Sequence, residues 1–104
     1  MPKPPREVRA KARSALERRR ERAKTTKRPG GTAVGVARAR DLANGQNVSH
    51  RTLLRMRSFF ARHNTEEERE ARRNRYSPAS IAWDLWGGTP GRAWVEQVLR
   101  AKGL

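Results

Sequence analysis

Helix-breaking signals recur along this chain at short intervals: Pro29-Gly30-Gly31, Asn44-Gly45, Asn64, Ser77-Pro78, Gly87-Gly88 and Gly103. After Gly31 nothing longer than a short helix fits between two of them. No segment alternates apolar and polar residues as a half-buried strand does. The pattern therefore predicts an all-α fold, a small bundle of four to five short helices over residues 32–104, preceded by a basic arm and linker over residues 1–31 that is itself helical or disordered.

The cues for each helix are local. Thr32 can cap a helix over Ala33–Ala43, with Val36, Ala39, Leu42 and Ala43 on one side and Arg38 and Asp41 facing away. Ser49 caps the next helix, which puts Leu53, Met56 and Phe60 on an apolar face with Leu54 and Phe59 flanking it. On the opposite side Arg51, Arg55, Ser58 and Arg62 lie within about 60° of one another. Thr65 and Glu68 have the spacing of a capping box, and Glu66, Glu67 and Glu68 suit the positive end of a helix. A catalytic or metal-binding carboxylate cluster is the sharper reading of those acids, but no histidine has a matching spacing. That helix runs on through Ala71 toward Arg75 with almost no apolar stripe, so it is short and exposed. Ser77-Pro78 opens a helix in which Ile81, Ala82, Trp83, Leu85 and Trp86 leave Asp84 as the single charged position, which marks it as central to a core. Thr89-Pro90 opens the last helix, with Trp94, Val95, Val98 and Leu99 inside. Three tryptophans, two phenylalanines and Tyr76 supply much of the bulk that so small a domain needs. A tryptophan that stacks on a base or fills a partner's pocket is the alternative.

Charge narrows the function. Lysine and arginine number 25 against 10 acids, a net charge of +15. Solubility asks for only about 2 to 8 in a small domain. Such an excess opposes compaction and calls for a partner that supplies negative charge. Arginine outnumbers lysine 20 to 5, and its planar fork suits phosphates and base edges. With no cysteine, disulfides and thiolate metal sites are excluded. No apolar run approaches the roughly 20 residues that cross a bilayer, and no secretory signal is visible. An intracellular protein without a membrane role is expected.

Residues 1–29 carry 12 basic and 3 acidic residues. A helix from about Pro5 to Lys24 would have a thin stripe of Val8, Ala12, Ala15 and Leu16, continued by Arg19. That stripe is too narrow to hold a helix against a core. The segment is expected to fray alone and to order on a polyanion, with Arg9, Arg13, Arg18, Arg19, Arg20, Arg22, Lys24, Lys27 and Arg28 as candidate nucleic-acid contacts. A disordered solubilising tail is the alternative.

No reactive constellation is present, so no enzyme, small-molecule substrate, cofactor or metal is expected. His50 and His63 fall near opposite sides of one helix, and the glycine pairs read as hinge and helix stop. A helix-turn-helix register can be laid over Ala43, Asn47, Val48 and Leu53, which would turn Ser49, His50, Arg51 and Arg55 toward a major groove. Contact with the phosphate backbone alone, through Arg51, Arg55 and Arg62, is the other reading of that helix.

The segments 35-GVARARDLANGQNVS-49, 59-FFARH-63 and 81-IAWDLWGGTPGRAW-94 resemble a small module of tailed-phage and prophage proteins. The resemblance spans roughly residues 33–97. It departs at 65-TEEEREARRNR-75, where the module is lysine- and glycine-rich. It implies an all-helical fold and a phage or mobile-element setting, in the bacterial host cytoplasm or packaged in a virion, and it supplies no activity. Together these features point to a non-enzymatic nucleic-acid-binding protein, with DNA favoured over RNA. The alternative is a phage structural or regulatory protein that binds a protein assembly, such as a capsid or portal component or host RNA polymerase.

Overall fold

The structure, a computed structural model, describes residues 2–104. These residues form six helices and no strand: α1 (Arg6–Arg22), α2 (Ala33–Ala43), α3 (His50–Arg62), α4 (Glu66–Ala71), α5 (Pro78–Leu85) and α6 (Gly88–Ala101). The all-α bundle is as the breakers predict. Thr32, Ser49, Thr65 and Ser77 each accept a hydrogen bond from a backbone N–H three residues on, and Thr65 with Glu68 forms the full capping box. The start of α6 differs from expectation. Gly87, at φ +105°, precedes the helix, and a Cβ there would lie 2.8 Å from Val8 Cγ1. The Thr89 hydroxyl accepts from Trp83 Nε1 at 3.2 Å and caps nothing.

Helices α1 and α5 form the middle of the molecule. Helix α1 packs against α2, α5 and α6; α5 packs against α1, α2, α4 and α6; α3 packs against α6. Leu42, Leu53, Met56, Phe60, Ile81, Leu85, Val95 and Leu99 are fully buried. Tyr76 is not part of this core: it is half exposed, under the Arg75 guanidinium.

The first 31 residues are not a separate arm. Val8, Ala12 and Ala15 are fully buried. Small residues let α1 approach its neighbours closely, so a thin stripe suffices where three helices converge on it. Before α1, Pro4 is buried and the Pro2 carbonyl accepts from the Val48 N–H at 2.8 Å. After it, Pro29-Gly30-Gly31 is a packed turn and no hinge. Gly31, at φ +74°, sits where a Cβ would run into the Leu85 side chain. The radius of gyration, 13.0 Å, is that of a globule of this length with no projecting arm.

The helix-turn-helix register is likewise not realised. The left-handed residue between α2 and α3 is Gly45, at φ +69°, while no described non-glycine residue, Asn47 included, has a positive φ. Nor do the two helices pack on each other as a unit: α2 lies on α1 and α5, while the backbone of α3 lies on α6. Among the described residues no helix is long and apolar enough to cross a membrane.

Candidate functional site

The side of α3 that faces away from the core lines a groove of about 560 Å³ against the start of α2 and the end of α5. Phe59, Leu54 and Trp86 lie at its base, Thr32 and Val34 form one wall, and Arg51, Arg55 and Arg62 stand along it with His63 at one end. The helical spacing of the three arginines brings them to one side, and all three are exposed. No ion pair among the described residues includes any of them. Val34, 60% exposed, is the most exposed large apolar side chain of the molecule's described residues.

The base of the groove is a packed aromatic cluster. Phe59 and Trp86 stack at 4.7 Å between centroids and 12° between planes. Phe59 also meets His63 at 4.6 Å and Trp83 at 6.3 Å. Arg38 lies over the Trp86 ring at 5.9 Å, with its Nε buried and unpartnered, so it does not face away as its helical position suggested. Arg72 lies over Trp83 at 3.8 Å. Trp83 and Trp86 are thus sandwiched within the protein, and neither presents an open face on which a base could stack. At the end of the groove His63 Nδ1 meets Glu68 Oε2 at 2.9 Å. Burial works against the ionised Glu68 carboxylate, but hydrogen bonds with His63 and Thr65 outweigh it and hold the carboxyl below its ordinary pKa.

The candidate contacts of residues 1–31 do not form one surface. Arg18 is buried and paired with Asp84 at 2.6 Å, with further bonds to the Arg75 carbonyl and the Ser14 and Ser80 hydroxyls. Arg19 Nε donates to the Gly30 carbonyl at 2.8 Å and Arg22 Nε to the Pro29 carbonyl at 3.2 Å, tying the turn to α1. Arg13 donates to the Ala43 carbonyl at the end of α2, and Arg9 lies beside Gly45. Lys24 pairs with Glu21 at 3.2 Å. Arg20, Lys27 and Arg28 are exposed, and no described ion pair includes them. Arg18, Arg19 and Arg22 therefore have structural work, and Arg18 in particular is withdrawn from any outside partner by its burial.

Sequence reasoning missed Thr32, Val34 and Trp86 as groove residues. They come from segments distant in sequence from α3, so no local spacing could reveal them. Arg18 carried a usable signal: Asp84, alone in an apolar helix, required a cation. No protein-family model, curated protein or solved structure matches the chain.

Proposed function

We propose that this is a non-enzymatic nucleic-acid-binding protein, of the kind carried by tailed phages or other mobile elements, that holds the phosphate backbone along the α3 groove. The observation that carries this reading is the set of three exposed, acid-free arginines on one groove. Arg51 and Arg62 are eleven positions apart, about 16 Å along the helix, enough to span several phosphates of a strand. Three such cations on one face repel one another, and phosphates would offset that repulsion. The sandwiched tryptophans favour backbone contact over base stacking. Arg9, Arg20, Lys27 and Arg28 extend the positive field, which steers a polyanion toward the protein at low salt.

The phage setting rests on the three motifs quoted above. DNA is the favoured nucleic acid, in an intracellular or virion-packaged context. A second reading is supported by the apolar residues of the groove: Val34 and Leu54 beside arginines would also suit an acidic amphipathic segment of a partner protein.

The test is the triple variant Arg51→Gln, Arg55→Gln and Arg62→Gln. Its melting temperature should match the parent's, and duplex binding should weaken. The slope of log affinity against log salt should fall by roughly 2 to 3, near 0.9 for each phosphate that is no longer neutralised. Binding equal to the parent's at every salt concentration would overturn the reading. Loss of a stoichiometric protein partner, with naked-DNA binding weak in parent and variant alike, would favour the second.

A further inference from the structure

A second, smaller cleft of about 210 Å³ opens where α1, the α4–α5 loop and the start of α6 meet. Its lining is polar apart from the Trp83 ring. Lys11 and Arg18 come from α1, Arg72 and Arg75 from the loop, Ser80 and Asp84 from α5, and Thr89 from α6. Four cations face one carboxylate, and Arg18 already holds that carboxylate at 2.6 Å.

The inventory of donors and acceptors is unbalanced. Arg72 uses two of its donors, on the His63 carbonyl and Asn64 Oδ1, both at 2.9 Å, and a guanidinium has five. Burial lowers the pKa of Arg72, against the opposing fields of Glu68 and Asp84, and the guanidinium lies over the Trp83 ring at 3.8 Å with no carboxylate paired to it. The Arg75 guanidinium lies over the Tyr76 ring and makes one hydrogen bond, to the Ser14 hydroxyl at 3.4 Å. Thr89 takes the Trp83 indole N–H as an acceptor, which leaves its own O–H to donate. No ion pair among the described residues includes Lys11, Arg72 or Arg75. Acceptors are what the cleft lacks.

We propose that this cleft is a binding site for a tetrahedral oxyanion, a phosphate ion or a terminal phosphate group, held by Lys11, Arg72, Arg75 and the Thr89 hydroxyl. Size supports the class. The volume equals that of about seven waters and falls below the roughly 300 Å³ at which pockets for larger organic ligands begin. The buried Arg18–Asp84 pair forms the back of the cleft and fixes α1 against α5, so the donors are presented by a rigid frame. The site is independent of the α3 groove.

The full chain, isotopically labelled, would be titrated with sodium phosphate by NMR at constant ionic strength, with sodium chloride as the control. Saturable shifts at the Trp83 indole N–H and the Thr89 amide are expected with phosphate alone. The variant Lys11→Gln with Arg75→Gln should bind at least tenfold more weakly, whereas the α3 triple variant should bind as the parent does. Should the double variant fail to fold, Arg75→Gln alone, at an exposed position, should still weaken binding. Oligonucleotides with and without a 5′-phosphate assign the source. A response to the phosphorylated one alone points to a nucleic-acid end, and a response to neither points to the free ion. Shifts that do not saturate, that chloride reproduces, or that the cleft variants leave unchanged would overturn the proposal.

Discussion

Arg18 shows how a single residue changes role once its surroundings are known. In a run of arginines it reads as one more external cation, yet its side chain is 6% exposed and its guanidinium is bonded to Asp84. A buried ion pair contributes little beyond what apolar residues of the same shape would give, but removing one partner strands a charge in the interior. Asp84→Ala should therefore cost about 3–5 kcal/mol in urea unfolding followed by circular dichroism. Replacing both partners, with Arg18→Met and Asp84→Leu, should recover much of that loss. A double variant as unstable as the sum of the single changes would mean that the bonds from Arg18 to the Arg75 carbonyl and to Ser80 matter more than the pair.

At the scale of elements, α1 is the part of the chain whose sequence says least about its place. Most of its residues are arginine, glutamate and lysine, and its buried stripe is rich in alanine. Yet it is the helix on which α2, α5 and α6 converge. Deleting residues 1–29 uncovers the faces of those three helices at once, and the truncated chain should lose its cooperative thermal transition. Ala12→Leu, which forces a larger side chain into the contact, should cost about 1–3 kcal/mol in the full chain. A truncated chain that still melts cooperatively would show that α2–α6 form a core alone.

The whole molecule combines a small core with a net charge of +15. Four ion pairs of arginine or lysine among the described residues do little to offset this, because three of them involve substantially exposed side chains. Self-repulsion should then limit stability at low ionic strength. Between about 0.01 M and about 1 M sodium chloride the Debye length falls from about 30 Å to about 3 Å. The melting temperature should rise over that range, most steeply at the low end. A flat or falling profile would show that the cations are spaced too widely for repulsion to matter.

Caps, breakers and periodicity were enough to place α2, α3 and α5 within a residue or two, because each depends on neighbours in sequence. The same holds for the shared face of Arg51, Arg55 and Arg62, since helical spacing alone sets it. Tertiary structure decided what lies opposite. Thr32, Val34 and Trp86 complete the groove because α2 and α5 pack where they do. Arg18 is internal because Asp84 meets it across 66 positions. The cleft around Arg72 and Arg75 exists because their loop folds over α1. Helix signals are local and additive, whereas burial and charge compensation depend on which distant segments meet. A basic helix with an alanine stripe is compatible with either a solvated arm or the centre of a bundle until its neighbours are in place.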